Sequence, residues 1–387
     1  MNRIKGYIYD LISFAAQILG RKAAIHEKVL ILRVDEIGDY LLWRKFLQEI
    51  VSSNICKEKQ IHFLGNASWK SLFELEFDTK PGNPFAKVIW LDKGQYKKNM
   101  AYRFKINRML FIENYQTIIN PTYSRAKRVD DSLVKAAKAK INYGFVRNNE
   151  NYLPYEQSFD LHLYQHVFTL TAQPLFEFNS NKLFTAWITG QSSNVHTMDL
   201  ASHVQLPSLN ESLLSKTNYF VVFPGSRSPK RIWSAQNFIQ LSNTLFEKYQ
   251  YTAVIAGAGS DQVYAEAFIA GYAHPYINLI GKTNLKEMLS VLKNAKCLLS
   301  VDTGSIHMAA TVNCTTIGIF NGSQYGRFSP YPSDICNKIH SCYPLSIQAD
   351  LNDIQVVREK YTLIVPIDYN EVSAAQAIEK LASLDLN

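Results

Sequence analysis

Small, polar and basic residues directly follow four apolar segments in the second half of the chain. The segments cover residues 219–223, 252–256, 295–300 and 315–320, and each has the length and composition of a buried strand. In a parallel sheet the turns at the carboxyl ends of strands line one crevice, so these residues are expected to face one ligand. They are Ser226, Lys230 and Arg231, then Gly257, Gly259 and Asp261, then Asp302, Thr303, Gly304 and His307, and finally Ser323.

The turn after the third segment has the features of a phosphate site. Gly304 permits a tight turn, and Ser305 is placed to cap the helix that the spacing of later apolar residues predicts. A helix start offers free N–H groups and a partial positive charge, and His307 in its first turn adds a donor. The alternative is a capped strand-to-helix turn that binds nothing.

The other turns complete a pyrophosphate-binding set. Lys230 and Arg231 supply positive charge and Ser226 a polar turn, although a basic pair can also lie on a solvated loop. Gly257, Gly259 and Asp261 are assigned to the nucleoside, and Ser323 is a further candidate in the donor site. Because Gly257-x-Gly259 lacks the third glycine of a dinucleotide fingerprint, it is a weak indication of NAD.

Asp39 is the candidate catalytic residue of the first half. It follows Gly38 at the strand-to-helix turn after the apolar segment 28–34. A carboxylate there can take a proton from a hydroxyl group. The alternative is an acid that only stabilises the start of a helix, and Asp35 and Glu36 compete for the role of base.

Alternating strands and helices predict two doubly wound parallel-sheet domains. Strands are expected at 28–34, 61–64, 87–91, 117–119 and 141–145, with helices at 99–113, 124–138 and 159–171 between or after them. The pattern is lost over 189–217 and then restarts. We predict an amino-terminal domain over 26–200, a carboxy-terminal domain over 215–365, and a terminal helix within 366–387.

Residues 1–25 form a predicted amphipathic helix outside this alternation. Its broad apolar face is flanked by Arg3, Lys5, Arg21 and Lys22. Asp10 interrupts the apolar region and no small-residue cleavage site follows, which argues against a signal peptide. The helix either lies on an anionic membrane surface, which its basic ends favour, or packs on the first domain.

Composition and missing motifs exclude several classes. With 387 residues and a net charge of +8, the chain suits phosphorylated ligands, but no zinc knuckle or arginine-rich block indicates nucleic acid. No apolar run approaches about 20 residues, and the scattered cysteines indicate buried thiols. The sequence has no D-x-D pair, so it does not indicate a nucleotide sugar held through a metal ion of that type. It has no G-x-S-x-G elbow, so it gives no support for a hydrolase of that class. His162 and His166 have the spacing of a metal pair on a helix but no third ligand, so packed or exposed histidines are the default.

These motifs together resemble glycosyltransferase family 9, the heptosyltransferase-like enzymes. The resemblance covers roughly residues 28–365 and is strongest over 219–331. It is carried by VLILRVDEIGD at 29–39, PGS at 224–226 with KRIW at 230–233, IGKTNLK at 280–286, and DTGSIH at 302–307 with IFNGS at 319–323. Arg231 occupies a position where the family usually has Lys, with Lys230 beside it, and Asn321 replaces a usual glycine.

The resemblance implies a GT-B architecture, in which two Rossmann-like domains face a cleft. It implies inverting, metal-independent transfer of a heptose or related hexose from a nucleotide-diphospho-sugar to lipopolysaccharide or another cell-surface glycan or glycolipid, without a cofactor. Asp39 matches the proposed general base of the family, and Asp302, Thr303, Gly304 and His307 match its donor-phosphate turn.

Two other functions stay open at this point. One is a nucleotide-sugar binding protein without transfer, and the other is a GT-B epimerase, which would need no acceptor. The expected location is the bacterial cytoplasm, with peripheral contact to the anionic inner membrane.

Overall fold

The chain folds into two compact units. The computed structural model describes residues 2–23, 27–77, 82–148, 150–152, 156, 162–171, 174–208, 214 and 217–386. The first unit comprises Met1–Thr171 with Phe178–Val195, and the second comprises Ala172–Glu177 with His196–Asn387. Each unit contains one six-stranded sheet.

The first sheet is parallel throughout and is buried at its centre. Its strands are β1 (Lys28–Arg33), β2 (Gln60–Asn66), β3 (Phe85–Leu91), β4 (Thr117–Asn120), β5 (Ile141–Phe145) and β6 (His166–Phe168), in the order β3-β2-β1-β4-β5-β6. Every residue of β1 is buried, as expected for a strand covered on both faces. Val29 pairs with Ile61 on one side and with Thr117 on the other.

The helices of this half pack on the sheet and on one another. They are α1 (Asn2–Ile18), α2 (Ile37–Trp43), α3 (Phe46–Val51), α4 (Lys70–Phe77), α5 (Lys93–Lys98), α6 (Met100–Ile112), α7 (Ser132–Ala137) and α8 (Glu177–Thr189). Asn99 caps α6 by accepting a hydrogen bond from the backbone N–H of Tyr102 at 3.0 Å. A π-helical turn, Lys127–Asp131, precedes α7. The predicted helix at 99–113 is confirmed, and the one predicted at 124–138 is helical from residue 127 to residue 137.

The second sheet repeats the first. Its strands are β7 (Tyr219–Phe223), β8 (Thr252–Ile255), β9 (Tyr276–Asn278), β10 (Leu298–Val301), β11 (Thr316–Ile319) and β12 (Ile339–Cys342), in the order β12-β11-β10-β7-β8-β9. The helices are α9 (Ala235–Tyr249), α10 (Gln262–Gly271), α11 (Leu285–Asn294), α12 (Gly304–Thr311), α13 (Gln348–Leu351), α14 (Ile354–Val356) and α15 (Ala374–Ala382). Ser234 caps α9 and Asn284 caps α11.

Both sheets have the doubly wound order, which confirms the predicted fold class. In each sheet the first and fourth strands of the unit are neighbours, β1 beside β4 and β7 beside β10. The chain reverses its direction of strand addition there, and ligands of such sheets bind outside the strand ends at this switch point. α15 belongs to the core of the second unit, where Ala377 and Leu381 are buried.

One predicted helix is wrong over its described part. Residues 162–171 of the predicted helix 159–171 contain the strand β6, and the remainder lies outside the described residues. His166 lies on β6 and stacks on Tyr143 with ring centroids 4.6 Å apart. The apolar spacing suits a short edge strand as well as a helix, so pairing with β5 decided the outcome.

The amino-terminal helix packs on the first unit, against α6 and α7. None of the helices in the described residues is long and apolar enough to cross a membrane. The cysteines are buried free thiols, as the sequence predicted for Cys297 and Cys314.

Candidate functional site

The switch point of the second sheet brings two of the predicted ligand-binding turns together. Ser300 of β10 pairs with Phe223 of β7, so the turns that follow these strands are neighbours. Arg231 spans them: its Nη1 donates to the Asp302 carbonyl oxygen at 3.3 Å and lies 3.6 Å from the Asp302 carboxylate Oδ2. The fold thus unites Arg231 with the 302–307 turn.

Asp302 is a mostly buried acid at the base of this turn. Burial raises the pKa of its carboxyl group, and the nearby Arg231 guanidinium opposes that rise. Its backbone N–H donates to the carbonyl oxygen of Ile319 on β11 at 3.0 Å. Asp302 therefore holds the turn in place and orients Arg231, whose cationic end remains partly exposed.

The start of α12 carries a chain of hydroxyl groups. The Ser305 hydroxyl lies 2.7 Å from those of both Ser300 and Thr303. The prediction that Ser305 caps the helix is wrong, because Thr303 holds the capping position and Ser305 is the second helical residue. Among the described residues, no side chain caps α12. The helix start therefore keeps the donor character that an anion requires.

His307 is buried just inside the same helix. Its Nδ1 is hydrogen-bonded to the Tyr331 hydroxyl group, and its ring packs edge-on against Phe328 at 6.0 Å. Two aromatic side chains thus fix the orientation of the imidazole next to the hydroxyl-lined turn. Tyr331 gave no recognisable signal in the sequence, because it lies 24 residues downstream.

The 224–231 loop places its predicted residues differently. Ser226 lies partly exposed, and its hydroxyl group accepts a hydrogen bond from the backbone N–H of Ser228 at 3.3 Å. Lys230 is exposed on the 3₁₀ turn Pro229–Arg231. Trp233 anchors the end of the loop: it is buried and donates to the carbonyl oxygen of Val372 at 2.7 Å. Of the basic pair, Arg231 is the residue that contacts the 302–307 turn.

Asp261 braces two turns of the second unit. Its Oδ2 accepts a hydrogen bond from the Ala258 N–H at 2.9 Å, which closes the turn after β8. A Cβ added at Gly225 would lie 2.5 Å from the Asp261 Cβ, and one added at Gly257 would lie 2.8 Å from its Oδ2. Both glycines therefore make room for this carboxylate, whereas a Cβ at Gly259 would meet no atom within 4 Å. The packing assigns Asp261 a positioning role between the turns.

Ser323 is buried, and its hydroxyl group is engaged by the carboxy-terminal segment. The Ser323 Oγ accepts a hydrogen bond from the Val365 N–H at 3.0 Å. Asn321 donates to the carbonyl oxygen of Ile367 at 2.8 Å and accepts from the Ser323 N–H. Asn321 and Ser323 thus fasten residues 365–367 to the end of the sheet.

Asp39 lies at the switch point of the first sheet, in the first turn of α2. Arg33, fully buried at the end of β1, donates to the carbonyl oxygens of Asp39 at 3.2 Å and Pro121 at 2.7 Å, and to Asn181 Oδ1 at 3.2 Å. It therefore connects the turn after β1 to the end of β4 and to α8. Sequence reasoning missed this role, although an arginine within an apolar strand must have partners.

The three candidate bases of this turn have different environments. The Asp35 carboxylate lies 2.6 Å from Arg33 Nε, and Glu36 pairs with Lys93 at 3.0 Å. Burial raises the pKa of Asp35 well above its ordinary value, Arg33 opposes that rise, and Asp39 adds to it. Within the described residues, no hydrogen bond or ion pair engages the partly exposed Asp39 carboxylate. Asp39 is therefore the acid of the three best placed to accept a proton.

Lys93 contributes to the same electrostatic cluster. Burial lowers its pKa, but Glu36, Asp130 and Asp35 together reverse that effect and raise it. For the nearby acid Asp130 burial has the opposite effect and raises the pKa. Among the described residues, no three His, Cys, Asp or Glu side chains are arranged to hold a metal ion. A reaction without a metal stays a prediction.

A family comparison identifies the family to which the chain belongs. The family described as glycosyltransferase family 9 (heptosyltransferase) matches residues 107–348, which is more than half of the chain. The matched residues include the 302–307 turn but not Asp39. Lipopolysaccharide heptosyltransferase 3 of Escherichia coli K12 is 23% identical over 180 residues, or 45% of this chain and 49% of that protein.

Other relatives match shorter segments. Lipooligosaccharide heptosyltransferase 2 of Haemophilus ducreyi is 30% identical over 95 residues, covering 23% of this chain and 27% of that protein. The alignments with these relatives thus span about half or less of their length.

Solved structures show the same fold over most of the chain. A glycosyl transferase family 9 protein of Veillonella parvula has a TM-score of 0.63 at 14% identity and covers 92% of this chain and 96% of that one. Escherichia coli heptosyltransferase WaaC with ADP-2-deoxy-2-fluoro heptose has a TM-score of 0.62 at 16% identity and covers 92% and 98%. The chain belongs to glycosyltransferase family 9 (heptosyltransferase).

Proposed function

We propose that the protein is an inverting, metal-independent glycosyltransferase. It would move a heptose or related hexose from a nucleotide-diphospho-sugar to lipopolysaccharide or another cell-surface glycan. The observation that carries this proposal is the second switch point, where Arg231 meets a helix start lined by hydroxyl groups and the oriented His307. That combination suits a diphosphate leaving group.

In the proposed reaction the first unit supplies the base, and the second unit binds the leaving group. The acceptor hydroxyl oxygen attacks the anomeric carbon while its proton passes to the Asp39 carboxylate. The bond between the anomeric carbon and the diphosphate oxygen breaks, and its electron pair leaves with the diphosphate. Charge on the leaving group is stabilised by Arg231 and the start of α12. Attack opposite the leaving group inverts the anomeric centre.

The donor is proposed to carry a nucleoside diphosphate, with ADP as the first to test. WaaC, whose fold this chain shares, has been solved with ADP-2-deoxy-2-fluoro heptose. The turn suits the diphosphate of any such donor, and the ADP-sugar analogue bound to WaaC makes adenine the first base to test. We propose that the reaction takes place in the bacterial cytoplasm, at the inner face of the membrane, with no resident cofactor.

A thermal-shift screen of ADP, GDP, UDP, CMP and NAD without metal tests the donor site. A nucleoside diphosphate at a hundred times its dissociation constant should stabilise the protein by about 2.7 kcal/mol. His307→Ala should reduce this shift, whereas His203→Ala, at an exposed histidine of the same unit, should not. A shift with NAD alone, or none with any nucleoside diphosphate, would overturn the proposal.

A further inference from the structure

Helix α1 is oriented with its large apolar side chains away from the protein. The residues that face the first unit are small or polar: Tyr9, Ser13 and Ala16 are 7%, 3% and 0% exposed. The side chains on the opposite face include Leu11, Phe14 and Ile18, which are 65%, 61% and 65% exposed. We call this opposite face the outer face of α1. Its residues are Ile4, Tyr7, Ile8, Leu11, Phe14 and Ile18, together with Leu19 directly after the helix.

Polar contacts fix this orientation. The Tyr9 hydroxyl donates to the carbonyl oxygen of Lys97 at 2.7 Å, and the Asn107 amide donates to the Ser13 hydroxyl at 3.0 Å. The Arg103 guanidinium lies 3.7 Å from the centre of the Tyr9 ring. Rotating the helix to bury its apolar side chains would break these contacts. The outer face is therefore a surface built into the fold, and an exposed apolar patch of this kind marks an interaction site.

Positive charge surrounds one end of the outer face. Lys22 Nζ donates to the carbonyl oxygen of Lys138 at 3.3 Å and lies 5.2 Å from the centre of the Phe111 ring. Burial lowers the pKa of Lys22, and Lys138 and Lys140 lower it further by charge repulsion. Lys138 and Lys140 are exposed. Such a concentration of like charge is relieved by an anionic partner.

Further basic side chains lie near the helix. Lys5 and Arg21 are exposed, and Arg108 Nε donates to the carbonyl oxygen of Leu19 at 3.4 Å. Asp10 is the acid within α1, and Lys135 neutralises it at a distance of 3.1 Å. The patch is thus apolar along its centre and cationic at its margin, with little acidic character.

We infer that the outer face of α1 docks on an anionic lipid bilayer, with the helix lying along the surface. A 17-residue helix is about 25 Å long, so its apolar side chains can enter the boundary between headgroups and acyl chains together. The basic margin then meets lipid phosphates. A second copy of this chain fits less well, because a symmetric pairing through this face would bring the same lysines together.

This inference rests on the proposed location at the membrane and names the surface responsible. It is separable from the transfer chemistry, because no residue of the outer face belongs to the donor turn or to the Asp39 turn. Docking would keep the enzyme near a lipid-anchored acceptor, so loss of docking should impair transfer to a bilayer-embedded acceptor more than transfer to a soluble fragment.

Flotation of the full chain with lipid vesicles tests the inference. We expect binding to phosphatidylcholine vesicles that contain phosphatidylglycerol and much weaker binding to phosphatidylcholine alone. Leu11→Ser with Phe14→Ser should weaken binding roughly tenfold or more, because two apolar side chains lose their burial. The matched control is Leu363→Ser with Ile364→Ser, at positions 55% and 72% exposed in the second unit, and it should bind as wild type.

A charge-directed variant and a fluorescence probe complete the test. Lys138→Gln with Lys140→Gln should lower vesicle binding roughly tenfold and reduce its salt dependence. The emission of Phe14→Trp should shift to the blue with anionic vesicles, whereas that of Ile364→Trp should not. Equal binding by wild type and Leu11→Ser/Phe14→Ser would overturn the inference. The inference would also be overturned if wild type failed to bind vesicles and light scattering showed a wild-type dimer that becomes a monomer in Leu11→Ser/Phe14→Ser.

Discussion

The two sheets share one strand order, yet their switch points carry opposite chemistry. At β1 and β4 the turn holds three carboxylic acids, two of which are paired with Arg33 and Lys93. At β7 and β10 the turn holds a helix start, hydroxyl groups and Arg231. The common topology supplies a crevice at each strand edge, and the side chains of the turns decide whether it suits a proton transfer or an anion.

The largest expected effect comes from removing the cation that organises the first switch point. Arg33→Met should lower the free energy of unfolding by about 3 kcal/mol or more, because two buried acceptors, one partly buried acceptor and the Asp35 carboxylate lose their partner. Urea denaturation measures this change. Lys57→Met, at an exposed position of the same unit, should change stability by less than about 0.5 kcal/mol. Equal stability of both variants would contradict the bracing role.

The next effect concerns the proposed base. Asp39→Asn should reduce turnover by roughly a hundredfold or more while donor affinity stays near that of wild type, because the amide cannot accept the proton. Initial rates and nucleotide titrations separate the two quantities. Glu36→Gln is the control, since Glu36 is paired with Lys93, and it should retain turnover within a few-fold. If Glu36→Gln lost more turnover than Asp39→Asn, Glu36 would be the base.

A smaller effect separates the two basic residues of the second switch point. Arg231→Met should weaken nucleoside-diphosphate binding roughly tenfold, because a charge-assisted contact beside Asp302 is lost. Lys230→Met should weaken it less, because Lys230 is exposed on the loop. Calorimetric titration with ADP at fixed salt compares the two variants. A greater loss of affinity in Lys230→Met than in Arg231→Met would show that Lys230 makes the phosphate contact.

The smallest effect is expected at the amino ends of the strands of the first sheet, away from the switch point at their carboxyl ends. Glu113 pairs with Lys28 at 2.7 Å and Lys87 at 2.5 Å. Burial raises its pKa, but hydrogen bonds from both lysines outweigh this and lower it to about 2. A depressed carboxyl pKa stabilises the fold above the unfolded value near 4.5 and loses that contribution as pH falls toward 2.

Glu113→Gln should therefore reduce stability at neutral pH and flatten the loss between about pH 4.5 and pH 2. Thermal unfolding across this range measures the difference between the variant and wild type. Turnover near neutral pH should stay close to wild type, because the pair lies at the amino end of the strands. An unchanged pH profile of stability would show that the ion pairs contribute nothing.

The comparison also shows which features a sequence can reveal. The strands and both switch-point turns were predictable, because apolar segments such as 28–34 end abruptly in glycine and charged residues. The role of Arg33 was not predictable in detail, since its partner Asn181 lies 148 residues away. An arginine inside an apolar strand nevertheless signals a buried cation that requires partners.

Local competition explains why the Ser305 cap and the 159–171 helix were predicted wrongly. Ser305 can cap a helix in isolation, but the nearby hydroxyl groups of Ser300 and Thr303 engage it instead. In the 159–171 segment, Tyr164 and Phe168 fit a helical spacing, yet residues 166–168 pair with β5 as the edge strand β6. The roles of Asp261 and Ser323 could not be predicted from their own turns. Asp261 packs against Gly225 of another turn, and Ser323 accepts a hydrogen bond from the distant Val365.

The most direct test of the central claim follows the anomeric configuration of the product. The wild-type chain is incubated with ADP-heptose and heptose-deficient lipopolysaccharide without metal, and the product is examined by NMR. The account predicts acceptor-dependent release of ADP and a new glycosidic bond whose configuration is opposite to that of the donor. Retention of configuration, or consumption of the donor without acceptor, would contradict it.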